Sequence, residues 1–513
     1  MTSRDLGYAV LSGVILASTF PPLGFEALAW IALFPLFWIL EEKEPGEAFT
    51  LGFVSGFVAY GFIIWWVQVT MVNYGGIPAW AAWGLVILLA VYIAIYVGLF
   101  AYFLTKVSPG GGFARFLMAP VIWVALELAR AYFLSGFPWA LLGYSQYRIL
   151  PAIQIADLVG VYGVSFFIVL VNAAFWHFFR HPDRAPFAVV IGTSLFSALV
   201  VGYGFYQLND LPKKSGPATV PIGIVQPDTR PSLKWKSGMR ESIVGDLEKL
   251  TNELSVEFKK KGRGFPPLVV WPEAAAPVVF SQAPEWQKRI GEISKKEGVH
   301  LLFGTLSADP TPPGKLFNSA YLLGPDGEQV ARYDKMHLVP FGEYVPWRKV
   351  LFFVDKLVPV IGRFGEGKTP TIFDTPGGKF GVLICFEIIF PRVVRRLKNA
   401  QFLVNITNDA WFGRTAASEQ HLSMVAMRAV EFRVPIVRSA NSGISSVIDA
   451  TGHIRYRSPL FKKWRRADFI APRKGPPTVY ARIGDAFAIV CAILAFGGVI
   501  VVRVRTPRRV WYA

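Results

Sequence analysis

The run Phe380-Gly-Val-Leu-Ile-Cys-Phe-Glu387 decides how the fold is read: a short apolar strand ends on a cysteine, and a carboxylate follows two positions later. A buried strand that delivers a reactive group at its end is how α/β folds present chemistry. Apolar runs of the same kind recur at 220–225, 268–271, 301–303 and 402–405. Between them the spacing of apolar residues predicts helices over 239–260, 284–297, 391–399 and 416–433. Gly324-Pro-Asp-Gly327, Pro376-Gly-Gly378 and Ala450-Thr-Gly452 each separate two strand-like runs and read as turns. The block 208–480 is therefore an α/β domain, and at about 270 residues it can bury a full core.

On either side of that block the solvent changes. The 513 residues are 53% hydrophobic and only 17% charged, with a mean hydropathy of +0.40, and the apolar excess lies in 1–207 and 484–502. This composition speaks against a purely soluble protein and excludes a disordered chain, collagen and a small disulfide scaffold. Candidate spans are 7–20, 25–40, 50–71, 80–105, 115–134, 160–179, 186–206 and 484–502, about eight in all. The expected domains are thus 1–207 in the membrane, 208–480 outside it, and 481–513 as a last span with a basic tail. The first pair, separated by Pro21-Pro22-Leu23-Gly24, need not fully cross, and the N-terminal stretch reads as a retained span rather than a signal peptide.

Loop charge sets the orientation. Lys106, Arg115, Arg180, Arg184, Arg503, Arg505, Arg508 and Arg509 fall on one side if the later spans alternate, and that side is cytoplasmic. The α/β block then sits on the opposite, extracytoplasmic face. The net charge of +18 suits anionic phospholipid better than nucleic acid, which is not expected as a partner. Cys385 and Cys491 are the two cysteines. Cys491 lies mid-span, so no disulfide is expected.

Three strand ends carry groups that work together. Glu273 closes Val269-Val-Trp-Pro-Glu273, and Lys335 and Glu343 share the segment 333–346. A Glu, a Lys and a Cys supply a base, a cation for a developing oxyanion, and a nucleophile. His337, two residues from Lys335, is the alternative base. The six histidines show no metal-ligand spacing, so no metal or other cofactor is expected. Inside a span, Glu127 and Arg130 at i,i+3 either pair with each other or meet a phospholipid headgroup. The apolar segment 351–364, with Phe352, Phe353, Leu357, Val358 and Ile361, reads as a lid dipping into the membrane interface, hinged at Gly362, Gly365 and Gly367.

These segments resemble the nitrilase superfamily, and with the flanking spans the chain looks like a member of the apolipoprotein N-acyltransferase family. The resemblance covers essentially the whole chain. It rests on Trp271-Pro-Glu273, the segment 335–346, Cys385-Phe-Glu387, Thr407-Asn-Asp-Ala-Trp-Phe-Gly413 and Arg438-Ser-Ala-Asn-Ser-Gly-Ile-Ser445, with Phe137-Pro-Trp139 and Gly143-Tyr-Ser-Gln146 in the spans. Two departures are Phe386 where tyrosine is common and Lys236 where aspartate is frequent.

The resemblance implies an αββα sandwich with a Glu273, Lys335 and Cys385 triad. It implies acyl transfer from a phospholipid, through a cysteine thioester, to the α-amino group of the diacylglyceryl-cysteine of an apolipoprotein, by a chain expected to be a monomer. Glu343 would orient Lys335, the Phe386 N–H would assist the oxyanion, and Glu387 would position substrate or pair with Arg392. Trp235 on the arm around Lys236, and Trp139 and Tyr144 in the spans, join the lid residues as substrate-binding candidates. Two other classes compete: a membrane-tethered amidase acting on a small soluble substrate, and a transporter with a binding domain. The apolar lid and attachment at both ends speak against the first. The triad and the scarcity of intramembrane charge speak against the second.

Overall fold

The computed structural model describes residues 1–109, 111–183, 186–215, 217, 219–261, 267–308, 315–346 and 364–505. They form two compact units. The first comprises Met1–Gln68, Ala79–Leu208 and Ile483–Ala513, the second Val69–Pro78 and Asn209–Arg482.

In the first unit five helices are long and apolar enough to cross a membrane: Pro45–Ile64, Ala79–Val107, Gly112–Ser135, Ala156–Arg180 and Pro186–Leu211. The eight spans expected from hydropathy are not all matched. Glu26–Leu40 and Ala486–Val501 are apolar but shorter, and Ser3–Ser18 is a 16-residue helix. Within 25–40 a 3-10 turn, Glu26–Trp30, precedes a separate helix, Phe34–Leu40. Asn172 serves the break, its side-chain oxygen accepting from Leu33 N at 2.8 Å and its amide donating to Ala29 O at 2.9 Å. Backbone groups without water must find such partners.

Small residues let the spans close. A Cβ on Gly52 would lie 2.5 Å from Val97 O, and one on Gly56 would lie 2.8 Å from Val97 Cβ. The i,i+4 glycines of Pro45–Ile64 thus take the backbone of Ala79–Val107 at close range. Glu127 and Arg130 hold irregular chain. Glu127 Oε1 accepts from Leu142 N at 2.7 Å, Arg130 donates to Ala140 O at 3.2 Å, and the guanidinium lies 4.8 Å from the centre of the Tyr60 ring. The intramembrane charges satisfy the non-helical backbone around 140–142.

The second unit holds two sheets among its described residues. The first contains β1 (Val220–Gln226), β2 (Leu268–Val270), β3 (Ala276–Val279), β4 (His300–Ala308), β5 (Leu316–Leu323) and β6 (Gln329–Asp334). The other contains β7 (Ile372–Thr375), β8 (Gly378–Ile384), β9 (Phe402–Thr407), β10 (Ile436–Ala440) and β11 (Ser446–Ile448), and β12 (Trp464–Ile470) returns to the first. The orders are β12-β1-β2-β4-β5-β6, with β3 beside β4, and β11-β10-β9-β8-β7.

Helices Arg240–Lys261 and Pro284–Glu297 cover the first sheet through Leu247, Leu254, Ile290 and Ile293, which pack with Trp271, Phe303 and Tyr321. The two sheets meet where Ser439 Oγ on β10 donates to Val225 O and Val270 O, at 2.9 and 3.2 Å. On the second sheet, helix Ala417–Phe432 packs against β11 and the turn after Cys385. Parallel pairing of β1, β2 and β4, and of β8, β9 and β10, sends strand ends of both sheets the same way within each sheet, which is what makes a shared site available.

Candidate active site

Glu273 emerges just past β2. The following residue, Ala274, has φ of +48°, which turns the chain sharply. Gly304 on β4 permits this, because a Cβ there would lie 2.7 Å from Glu273 Cα and 2.6 Å from Ala274 N. The carboxylate is buried at 7% exposure. Its Oε1 accepts from Asn318 Nδ2 at 2.8 Å and lies 3.8 Å from Lys335 Nζ. Among the described residues, Oε2 has no hydrogen-bond partner.

Lys335 leaves the end of β6 and is 1% exposed. Its Nζ donates to Glu343 Oε1 at 2.9 Å, and the other Glu343 oxygen accepts from Val339 N at 2.8 Å. Burial opposes the ammonium charge, but the Glu343 and Glu273 carboxylates outweigh it and hold the pKa above the ordinary lysine range. Lys335 is therefore a fixed cation.

Cys385 follows β8 with φ of +52°, a left-handed conformation that costs a non-glycine residue about 1–3 kcal/mol and persists only where surroundings enforce it. Glu387 is the enforcer. It is fully buried, and its Oε1 accepts from Tyr333 OH at 2.8 Å, Met336 N at 2.7 Å and His337 N at 3.0 Å, while Oε2 accepts from Ile384 N at 2.7 Å. One carboxylate thus ties the thiol-bearing turn to the segment that carries Lys335. Burial first, then the charge of Glu273, pushes the thiol up to about 12, with Lys335 pulling the other way. The resting sulfur is protonated at neutral pH.

Glu273, Lys335 and Cys385 thus stand past the ends of three strands, with Glu273 and Lys335 3.8 Å apart. Residues 12–174 match the model of the apolipoprotein N-acyltransferase N-terminal domain, and residues 247–463 match that of carbon-nitrogen hydrolases. An apolipoprotein N-acyltransferase of Geobacter metallireducens is 41% identical over 95% of this chain and 93% of its own. One from Haemophilus ducreyi is 30% identical over 94% of both chains. The chain belongs to the apolipoprotein N-acyltransferase family. Among solved structures, a variant of the Nesterenkonia AN1 amidase from the nitrilase superfamily is similar over 53% of this chain and 97% of its own, with 18% identity and a TM-score of 0.38.

In this apolipoprotein N-acyltransferase chain the remaining candidates fall in different places. Phe386 is partly exposed, its ring 5.2 Å from that of Phe390. Trp235 is 47% exposed and follows Lys234, whose Nζ donates to Glu273 O at 3.1 Å. Burial brings Lys234 down to about 8, against the pull of Glu273. Trp139 and Tyr144 are buried in the first unit, Trp139 with its ring 5.0 Å from Trp66. Phe352, Phe353, Leu357, Val358, Ile361 and Gly362 lie outside the described residues.

Gly365 and Gly367, expected as hinges, are sites of close packing. A Cβ on Gly365 would meet the Phe317 ring at 2.6 Å, and one on Gly367 would meet Asp334 O at 2.1 Å. The Gly367 N–H also donates to Lys335 O at 2.8 Å. His337, the alternative base, packs against Phe390 with ring centres 3.9 Å apart and planes tilted by 53°. Burial, then Arg392 and Lys335, lowers its pKa to about 4, so it is a poor base at neutral pH. Arg392, the expected partner of Glu387, lies over the Phe390 ring at 5.5 Å; Glu387 serves backbone N–H groups.

Sequence reasoning passed over Asn318 altogether. Its amide bridges Glu273 and Glu343, donating at 2.8 and 3.0 Å, and its only signal is a polar residue in the apolar run Leu316-Phe-Asn-Ser-Ala-Tyr. Also unforeseen is the role of 69–78, where Thr70 Oγ1 donates to Trp411 O at 2.9 Å and Tyr74 OH donates to Ala410 O at 2.7 Å. Asn318→Asp is expected to lower acyl transfer by about 100-fold, since a third carboxylate raises the proton affinity of Glu273 and competes for Lys335. A steady-state assay on the folded variant checks it, and wild-type turnover would remove Asn318 from the site. Among the described residues no cluster of three or more His, Cys, Asp or Glu could hold a metal ion.

Proposed function

We propose that this acyltransferase moves an acyl chain from a membrane phospholipid to the α-amino group of a diacylglyceryl-cysteine at the N-terminus of an apolipoprotein. The observation that carries the chemistry is Lys335, fixed between Glu343 and Glu273 at 2.9 and 3.8 Å. In the first half-reaction Glu273 takes the Cys385 proton on Oε2 while the sulfur attacks the ester carbonyl. Lys335 and the Phe386 N–H hold the oxyanion. The tetrahedral adduct collapses to a thioester, and the leaving glycerol oxygen takes the proton from Glu273 to give a lysophospholipid. In the second half the acceptor amine attacks, Glu273 removes its proton, and the expelled thiolate is reprotonated as the amide forms.

Burial and Glu273 hold the Cys385 thiol protonated, so in this reading proton transfer to Glu273 accompanies attack rather than preceding it. The test uses purified protein and vesicles of phospholipid carrying a labelled acyl chain. Hydroxylamine-labile label should appear on Cys385 and pass to an added diacylated lipopeptide. Label released only as free fatty acid, with hydrolysis of small amides, would instead indicate an amidase.

In this reading Ser3–Ser18, Glu26–Leu40 and Ala486–Val501 join the five longer helices in the bilayer of a bacterial inner membrane, and the monomeric chain presents its α/β unit on the periplasmic face. Loop charge supports the orientation. A reporter fused near residue 300 should read out as periplasmic and one fused after Arg509 as cytoplasmic. Both on one side would overturn the assignment.

A further inference from the structure

The stretches 407–413 and 438–445 supply none of the triad, yet they build one buried network. Arg438 donates to Asn405 Oδ1 through Nη1 and to Asp409 Oδ2 through Nη2, the latter at 2.7 Å. Asp409 Oδ1 accepts from Thr407 Oγ1 at 2.9 Å and lies 3.3 Å from His421 Nδ1. Arg438, Asn405, Thr407 and His421 are at 0% exposure and Asp409 at 1%. A Cβ on Gly443 would meet Asp409 Cβ at 2.5 Å, so only glycine at 443 lets these stretches close on each other. Burial opposes the Asp409 charge, but Arg438 and His421 prevail and hold its carboxyl well below the usual range. It is a permanent acceptor.

Thr407 is the member that faces the nucleophile. Parallel β8 and β9 pair Ile384 with Ile406, so one residue on Cys385 and Thr407 leave the strands side by side. That register sets the Thr407 hydroxyl beside the Cys385 thiol, where it favours the thiolate form. A threonine hydroxyl has one proton to give. It can go to Asp409 or to the sulfur, not to both.

We propose that Thr407 is a catalytic residue of the acylation half-reaction, its hydroxyl donating to Asp409 while Cys385 is a thiol and turning to the sulfur as the thiolate forms. The proposal rests on Cys385 as nucleophile and Glu273 as base. When the S–H bond breaks, its proton goes to Glu273 Oε2. Thr407 keeps its own proton and only redirects it. Asp409 retains Arg438 on Oδ2 and the His421 ring beside Oδ1, so no buried carboxylate is left bare. The charged groups around the sulfur are Glu273, Lys335 and Asp409; two are anions that disfavour thiolate, and a donor that moves to the sulfur offsets them. The same switch runs again when the thioester's thiolate is expelled by the acceptor amine.

The experiment uses the full chain carrying Cys491→Ala, which leaves Cys385 as the sole thiol. Alkylation by iodoacetamide is followed from pH 6 to pH 10, and acyl-enzyme formation from phospholipid is resolved into kcat and KM. A hydrogen bond to a charged group is worth about 1.5–3 kcal/mol. Thr407→Val should therefore alkylate about 10-fold or more slowly across that pH range, its thiolate fraction being lower at each pH, and kcat for acylation should fall by a similar factor at unchanged KM. Thr407→Ser should restore both.

A merely structural threonine would alter melting temperature without moving the pH profile. If the valine variant melts early, Thr407→Ala takes its place in the same comparison. A wild-type alkylation profile in a stable variant without the hydroxyl overturns the proposal. Acyl transfer persisting in Cys385→Ala overturns the underlying nucleophile assignment instead.

Discussion

Cys385→Ala is expected to abolish both acyl-enzyme formation and transfer, while its two partners fail in different ways. Glu273→Gln removes the charge that, after burial, does most to keep the sulfur protonated. Its thiol should titrate at lower pH and react faster with iodoacetamide at pH 7.5. Acyl transfer should nevertheless fall by about 100-fold or more, because no group takes the proton from the attacking amine or returns one to the leaving glycerol oxygen. Lys335→Met acts in the opposite sense on the thiol, raising its proton affinity, and also loses the oxyanion's cation, worth about 3–4 kcal/mol by comparison with single oxyanion donors. It further leaves Glu273 and Glu343 facing each other across Asn318. Melting curves establish folding, and mass spectrometry of Cys385 separates the half-reactions. A Glu273→Gln protein that transfers acyl chains at the wild-type rate would remove Glu273 as base.

The contrast between a reactive thiol and a dead enzyme is the signature of a base rather than of a charge. Glu273 and Cys385 were legible in the sequence as candidates because each follows an apolar strand, where an ionisable residue has few structural reasons to stand, and Lys335 because it shares its segment with Glu343. Asn318 was not, nor was the part proposed for Thr407, because each depends on partners far away in the chain: Asn318 on Glu273, and Thr407 on a register set by β8 and β9. The strand run Trp464-Arg-Arg-Ala-Asp-Phe-Ile470 escaped for a different reason. It is an edge strand, antiparallel to β1, and edge strands take charge on their exposed positions, which hides their period. In the sequence Glu387 stands out only as a charge beside a cysteine; backbone N–H groups leave no mark there, so substrate or Arg392 is the partner it suggests.

The helices show the same division. Length and apolarity found the five long spans, whereas 25–40 looked continuous because hydropathy is blind to a break that Asn172, more than 130 residues away, makes tolerable. In both units the unread features are polar groups that complete irregular backbone: Asn172 at residue 33, Glu127 at residue 142, Glu387 at residues 336, 337 and 384. Each is needed only because the chain departs from helix or strand at that point.

Glu387 gives the second large effect, and its sign differs between activity and stability. Burial, against its hydrogen-bond donors and Lys335, pushes its carboxyl up to about 7. The ionised form accepts four hydrogen bonds at once; a protonated carboxyl must turn one oxygen into a donor facing N–H groups. Acyl transfer should therefore fall as pH drops through about 7, when the tie between the Cys385 turn and the Lys335 segment loosens. Stability runs the other way. A carboxyl that holds its proton more tightly folded than unfolded stabilises the fold fully below the unfolded value near 4.5, and that contribution, about 3 kcal/mol, is lost as pH rises through 7. Glu387→Gln mimics the protonated form: it should keep the low-pH melting temperature, lose this pH dependence, and transfer acyl chains at least about 30-fold more slowly at pH 8. Glu387→Ala should instead leave three backbone N–H groups and the Tyr333 hydroxyl unpaired in the interior, and unfold at markedly lower temperature. Activity and melting temperature measured on the same samples from pH 5 to pH 9 check the pair. If the two curves rise together, Glu387 is not the group that couples them. If Glu387→Gln transfers normally, the carboxylate bridge is not what holds Cys385 in its left-handed turn.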